Sequence, residues 1–298
     1  MALQASGQIK YSEIIAEFGT PNSGGIGEYR LSENVGSLSN LPLDTGVPQS
    51  GQIKFSDFYS KKLNHVVDLY SIGNNTSRQN AKDRWNNGNV HIVGSTKTGK
   101  TQPPDTIDDR VIVNVNATIR SAKGTQTHCA LRTGTWDSNT TLEIEIGTSG
   151  KLFGSGGDGG TGGSANETPG TDGQTGSSAL GIQYPCTINN LGVIQSGYGG
   201  GGGGGGNTRT TGGGKKGGAT TNGSSGGGGG GGAGLPAGSA GGVSTPLSQG
   251  GGSAGSAGQA GSLSGQATGG AGGSEAGAGG NSSPVNNSAT KADNGATA

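Results

Sequence analysis

Aromatic and aliphatic side chains are scarce in this sequence. Hydrophobic residues make up 27% of 298 positions and aromatics 4%, below what a domain of this length uses to build one large core. Charge is thin and balanced, with 19 basic and 19 acidic residues and a formal net charge of zero. No basic surplus therefore points to nucleic acid, and no acidic tail is present. Two cysteines, Cys129 and Cys186, are too few for a disulfide framework or a metal motif and read as unpaired, semi-buried thiols. No stretch is apolar and long enough to cross a bilayer. Met1 to Lys10 lacks the apolar core of a secretion signal, so the expectation is synthesis in a cytoplasm without such a signal.

Catalytic constellations are missing as well. His65, His91 and His128 are scattered among polar residues, without metal-ligand spacing or a nucleophile partner. Asp105, Asp108 and Asp109 read as a solvated turn. Gly94-Ser-Thr-Lys-Thr-Gly-Lys-Thr101 matches the phosphate-loop pattern after a short strand, Val90 to Val93. That pattern needs a helix beginning at its lysine. Gln102-Pro103-Pro104 follows instead, and proline forces extended backbone on the residue before it. The expectation is no enzyme, no metal and no cofactor.

What the sequence does contain is glycine. Residues 151–298 hold 53 of the 69 glycines and only 10 of the 38 charged residues, and they include two pure runs, Gly199 to Gly206 and Gly226 to Gly232. Such runs have no side chains to bury. As a linker the block would be coil-like, yet it fills half the chain and no further domain follows it here. As collagen it fails, because the triplet Gly252-Ser-Ala, Gly255-Ser-Ala, Gly258-Gln-Ala is brief and proline-free. The third reading is a bundle of three-residue-per-turn backbones, whose outward NH and CO groups bond neighbouring backbones that only glycine lets approach. Short polar insertions between the glycine blocks would then be exposed turns at the two ends.

The first half reads differently. Ser6-Gly-Gln-Ile-Lys-Tyr-Ser-Glu13 recurs as Ser50-Gly-Gln-Ile-Lys-Phe-Ser-Asp57, with Ser12 and Ser56 as candidate caps of short helices. Ile14, Ile15 and Phe18, or Phe58 and Tyr59, would face inward. Beyond it, Val90 to Val93, Val111 to Val115, Ala117 to Arg120, Cys129 to Arg132 and Thr140 to Ile146 are strand candidates. Leu142, Ile144 and Ile146 alternate with Glu143 and Glu145, as in a half-buried strand. Trp85 and Trp136 are the expected core anchors of a small β-sandwich or sheet.

Ala179-Leu180 through Tyr184-Pro185, then Thr187-Ile-Asn-Asn-Leu-Gly-Val-Ile194 running into the first glycine run, resembles the glycine-rich receptor-binding proteins at phage tail-fibre tips, including the adhesins that cap long tail fibres of T-even-type phages. The Ser-Gly-Gln-Ile-Lys repeat resembles an N-terminal module of phage virion proteins. The resemblance implies a mainly β and irregular fold: a small attachment module (1–65), a β-sandwich-like middle domain (66–153), a C-terminal polyglycine-II helix sandwich (154–280) and a polar tail (281–298). It implies a virion location, with other tail or fibre proteins docking on Ile9, Tyr11, Ile14, Phe18, Ile53, Phe55, Phe58 and Tyr59. It also implies a host-surface polysaccharide or outer-membrane protein as receptor. Candidate receptor loops are Asn207, Thr208, Arg209 and Thr210, then Lys215 and Lys216, then Thr220, Thr221 and Asn222, with the more apolar Leu235-Pro236 and Val243 to Leu247. Their Arg and Lys suit anionic sugar or phosphate; exposed turns of any such bundle would look similar. A monomeric tip and a homotrimeric fibre both fit. The alternative is an architectural fibre or baseplate component. A cellular matrix protein is disfavoured by the N-terminal repeat.

Overall fold

The computed structural model of the chain describes residues 3–21, 23–94, 110–123, 128–164, 169–204, 207–211, 220–224 and 228–242. It divides into two compact units. The first comprises residues 1–119, 132–151 and 182–193, and the second 120–131, 152–181 and 194–298. These units interleave along the chain, whereas the sequence suggested successive domains meeting at residues 65 and 153.

The first unit opens with α1 (Tyr11–Phe18) and continues through a 3-10 turn at Ile26–Tyr29, the hairpin β1 (Ser32–Val35) and β2 (Leu38–Pro42), and a second 3-10 turn at Phe55–Phe58. The two repeat copies begin in the same way. Glu13 Oε2 accepts from the Lys10 backbone NH at 2.7 Å, and Asp57 Oδ2 accepts from the Lys54 NH at 2.7 Å. Each carboxylate reaches back from the third helical position, which is half of a capping box. Ser12 and Ser56 are therefore not the caps. They lie inside the first turn, and the cap position falls on the preceding lysine.

The copies pack on each other. Tyr11 meets its counterpart Phe55 edge-on at 6.2 Å, and Phe18 and Tyr29 both meet Phe58. Ile14, Phe18, Tyr29 and Phe58 are fully buried in one core with Val66, Ile92 and Ile112. That shared core is why no boundary falls at residue 65. Buried polar groups bind the segment further. Glu17 accepts from the Leu63 NH at 2.8 Å. Asn114, fully buried, donates to the Val35 carbonyl and accepts from Ser37, both at 2.8 Å.

The central sheet uses β3 (Asn64–Leu69), β6 (Val90–Ile92), β7 (Arg110–Val115), β10 (Thr141–Ile146) and β13 (Thr187–Asn190), in the order β13-β10-β7-β3-β6. Before β6 come the two-residue strands β4 (Thr76–Ser77) and β5 (Gln79–Asn80), then α2 (Ala81–Asn86). The pairs β3–β7, β7–β10 and β10–β13 are parallel, and only β3–β6 is antiparallel. Register aligns Val67, Val113, Ile144 and Ile188 in one row across the sheet. On that face Leu69, Val111, Val115, Leu142 and Ile146 are also buried. On the other face Val66 and Ile112 pack against the N-terminal core, while Glu143 and Glu145 remain half-exposed. The alternation read in the sequence is this two-faced sheet. Of the small β-sandwich or sheet expected for the middle domain, the structure has the sheet, mainly parallel because consecutive strands are joined by long excursions rather than hairpins. Trp85 and Trp136 are buried and meet edge-on at 5.6 Å, with Lys82 4.8 Å from the Trp136 ring.

After each later parallel strand the chain bends into a short one: β8 (Thr118–Arg120) after β7, β11 (Lys151–Phe153) after β10, and β14 (Val193–Gln195) after β13, with β9 (Leu131–Arg132) and β12 (Leu180–Gly181) between them in sequence. In the first unit Lys151 NH donates to Ala117 O, and Val193 NH to Gly150 O, both at 3.0 Å.

The second unit is held together by backbone. Five segments, residues 154–163, 170–177, 197–204, 228–233 and 235–242, run side by side. Within the first, Gly154, Gly157, Gly160 and Gly163 donate to the carbonyls of Gln195, Tyr198, Gly201 and Gly204. Gly156, Gly159 and Gly162 donate to Pro236, Ser239 and Gly242. The carbonyls of Ser155, Asp158 and Thr161 accept from Ser177, Gln174 and Thr171; all these bonds are 2.7–2.9 Å. Each set repeats every third residue and serves a different neighbour, whereas strand bonding repeats every second. The second segment also accepts from the third, the third donates to the fourth, and the fourth and fifth bond one another.

Glycine content follows the number of neighbours. The first segment bonds four others and is non-glycine only at Ser155, Asp158 and Thr161. The second and fifth, with two each, have glycine at every third residue: 170, 173 and 176, then 238 and 241. A Cβ at Gly157, Gly160, Gly203 or Gly232 would lie within 3.0 Å of a backbone oxygen, a separation real Cβ atoms essentially never show. Gly157→Ala or Gly160→Ala should lower the stability of the second unit by about 1–3 kcal/mol, as overpacking does. Gln174→Ala, at an exposed position, should leave it near the wild type; thermal unfolding of the three variants checks this.

Candidate functional site

Register defines two ends for the glycine-rich bundle. Gly154 bonds Gln195 and Leu235, so the first segment begins where the fifth begins and the chain enters the third. Gly163 bonds Gly204, and Gly162 bonds Gly242, so the first, third and fifth segments finish together. The second begins at the same end, because Gly170 approaches Gly203 and Gly204. At that second end the chain leaves at Gly163 and returns at Gly170, leaves at Gly204 and returns at Gly228, and leaves again at Gly242. The exit residues themselves are glycines; the bundle's own side chains beside them are few, chiefly Thr161 and Thr171, whose hydroxyls lie 3.1 Å apart, so most of the chemistry this end offers belongs to the connecting segments.

One of those segments has described backbone. β15 (Asn207–Thr211) and β16 (Thr220–Ser224) pair antiparallel. Asn207 is registered with Ser224, Thr208 with Gly223, Arg209 with Asn222, Thr210 with Thr221, and Thr211 with Thr220. Asn207, Thr208, Arg209, Thr210, Thr220, Thr221 and Asn222 therefore share one ribbon. Threonine favours it, being β-branched. Lys215, Lys216 and Val243 to Leu247 lie outside the described residues. Leu235 and Pro236 are elsewhere: the Leu235 NH donates to Gly154 and the Pro236 carbonyl accepts from Gly156, which puts both at the opposite end, half-buried.

The N-terminal candidates divide too. Ile9, Ile14, Phe18 and Phe58 are buried within their own unit, so they cannot also form a docking face. Their apolar pattern satisfies a core formed by the chain itself. Tyr11, Ile53 and Tyr59 are partly buried against that core, and Phe55 is 44% exposed.

A polar seam that the sequence did not reveal closes one side of the bundle. Lys123 Nζ donates to Asp158 Oδ1 at 3.0 Å and to Ser239 Oγ at 2.7 Å, while the Ser239 NH donates to Asp158 Oδ1 at 2.6 Å. Beside it Ser155 NH donates to Ser121 Oγ and Ser177 Oγ, at 2.7 and 2.8 Å. The available signal was the triplet Gly-Ser-Gly-Gly-Asp-Gly-Gly-Thr from 154 to 161, whose non-glycine residues fall on the one side of the segment that needs side chains. Burial alone would raise the Asp158 carboxyl, but the hydrogen bonds from Ser239 and the Lys123 ammonium outweigh it and hold the group below its ordinary value. No group of three or more His, Cys, Asp or Glu able to hold a metal occurs among the described residues. No helix among them is long and apolar enough to cross a membrane.

Among known families, the model of the phage tail fibre adhesin Gp38 matches residues 80–298, more than half of the chain. The chain belongs to that family. As a tail-fibre adhesin it is a virion tail component concerned with host attachment, associated with other virion proteins and the host surface. No curated protein and no solved structure matches the adhesin. The match takes in both tryptophans, the parallel strands from β7 onward and the whole glycine-rich bundle, and leaves out the entire N-terminal repeat region and β3.

Because the Asp158 carboxyl is held below its usual value in the folded adhesin, its contribution to stability is complete above the ordinary value near 3.8 and is lost as pH falls through the lowered one. Melting temperature should fall on acidification below about pH 4, more steeply in the wild type than in Asp158→Asn, which already lacks the charge pair. Parallel slopes for the two proteins would contradict this.

Proposed function

We propose that this adhesin is attached to the virion by its first unit and contacts the host envelope through the segments gathered at one end of its glycine-rich bundle. In this reading the bundle is a sandwich of polyglycine-II helices. The period-three bonding supports it, since a three-residue turn sends successive NH groups to three different neighbours. At about 3.1 Å per residue, the ten residues from 154 to 163 span roughly 30 Å, which makes the bundle a rigid mount for what it carries.

The observation that carries the proposal is the common exit of three connecting segments at the end defined by Gly163, Gly204 and Gly242. Binding residues are often placed on loops fixed by a rigid scaffold. The β15–β16 ribbon is the part of that end with a defined backbone. With Arg209 on it, and Lys215 and Lys216 between its strands in sequence, it suits an anionic envelope polysaccharide or an acidic outer-membrane protein loop. Leu235 and Pro236, at the other end, are not part of this contact. The reading requires no catalytic group and accommodates a monomeric tip or a homotrimer.

Phage carrying the adhesin without residues 207–224 should assemble normally yet adsorb to host cells at least tenfold more slowly, and free wild-type protein should compete with adsorption. Normal adsorption by the deletion phage, with no competition by the free protein, would favour the architectural alternative.

A further inference from the structure

The central sheet of the first unit has two unlike edges. At β6 the edge is covered: Glu33 of β1 accepts from the Gly94 NH at 2.5 Å and lies 2.9 Å from His91 Nε2, and Ile92 and Val93 are buried. At β13 it is open among the described residues: there β13 pairs with β10 alone, in unbroken register from Glu143–Thr187 to Ile146–Asn190, and Thr187, Asn189 and Asn190 are exposed. Leu191 NH donates to Ile146 O at 2.8 Å. Strand residues alternate in the side to which their NH and CO groups point, so Ile188 and Asn190 direct theirs away from the sheet. Thr187-Ile-Asn-Asn190 carries no charge, proline or bulge, the devices by which proteins blunt an edge.

Apolar side chains adjoin this edge in sequence: Leu191 follows β13 directly, Val193 lies three residues after it and Ile182 five residues before it. Leu191 is 75% exposed, Ile182 56% and Val193 39%, and together they are most of the large apolar exposure of the first unit among the described residues. Three side chains offer a few hundred Å² at most, which marks an interaction patch but falls far below the ~1,600 Å² of a standard interface. A second copy packed through this patch alone would be weak. An added strand gains main-chain hydrogen bonds along the edge, with apolar neighbours setting which strand fits.

We infer that β13, flanked by Ile182, Leu191 and Val193, is the surface by which the adhesin is held on its fibre, through an uncharged, apolar-bearing extended strand of another virion protein. The inference rests on the reading of the chain as a virion-attached adhesin and relocates the attachment from the N-terminal repeat, whose Ile9, Ile14, Phe18 and Phe58 are internal.

The test uses full-length protein and phage particles produced from a genome lacking this chain. Wild-type protein should co-sediment with the particles. The double variant Ile182→Asp, Leu191→Asp should bind at least tenfold less, with unchanged melting because both side chains are exposed. Phe55→Asp and the 207–224 deletion should bind like the wild type. If the double variant melts earlier, Leu191→Asp alone is read instead. Undiminished binding by these variants, or loss of binding with Phe55→Asp only, overturns the inference. So does light scattering that shows a wild-type dimer broken by the variant with particle binding intact, since the occupant is then a second copy. Failure of the wild type itself to bind the particles would remove the virion-attached reading as well, whereas loss of host adsorption alone concerns the ribbon at residues 207–224.

Discussion

Everything in the second unit depends on how closely one peptide backbone can approach another. Adjacent segments lie so near that a methyl group at Gly157, Gly160 or Gly203 would fall on a neighbouring carbonyl. This proximity converts a sequence with almost nothing to bury into a hydrogen-bonded solid: seven NH groups and six carbonyls of the first segment, from Gly154 to Gly163, bond the backbone of the surrounding segments and of Gln195, which leads into the third. Glycine loses the most conformational entropy on ordering, so the arrangement survives only because nearly every interior polar group is paired, and an unpaired one is costly. In the first segment side chains are confined to every third position, 155, 158 and 161. There Ser155, Asp158 and Thr161 replace missing neighbours with hydroxyl and carboxylate partners, and Lys123 bridges Asp158 to Ser239.

The first unit solves the opposite problem with ordinary means. Its sheet buries β-branched rows on one face and meets the aromatic cluster of the N-terminal repeat on the other. Parallel pairing demands long connections, and the chain uses one of them for its first two glycine segments: residues 152–181 lie between β10 and β13 in sequence. Those two segments are an excursion from a conventional sheet, anchored in sequence at both sides by strand residues, and the three later segments follow β13 and bond back onto them.

Part of this was legible beforehand. The strands at Val111–Val115 and Thr141–Ile146 announce themselves by β-branching and by the Leu142, Glu143, Ile144, Glu145, Ile146 alternation, because a two-residue period survives in any sheet. Parallel order does not, since the same alternation serves parallel and antiparallel neighbours. The sequence points to Ser12 and Ser56 as caps because a serine and a following carboxylate are both capping signals; only the position of the first helical residue, which puts the cap on Lys10 and Lys54, decides between them. The apolar stripe of Ile9, Ile14, Phe18 and Phe58 showed that something would be covered; it could not show that the cover was the second repeat copy and the sheet. Asn207–Thr211 and Thr220–Asn222 stand out in the sequence as polar interruptions, while their pairing into one ribbon, and the placement of Leu235-Pro236 at the other end, required the register.

By itself the sequence determined that the second half would have no side-chain core and that its backbones must either pack on one another or remain unpacked, because glycine leaves no third choice. It also determined, through the residues around Ile188-Asn-Asn190 and the glycine runs, which family the chain resembles. Only the tertiary structure decided which segments neighbour which, which ends they share, and which sheet edge stays open. Those follow from hydrogen bonds between residues as far apart as Gly156 and Pro236, and glycine, lacking a side chain, writes no address for its partner into the sequence.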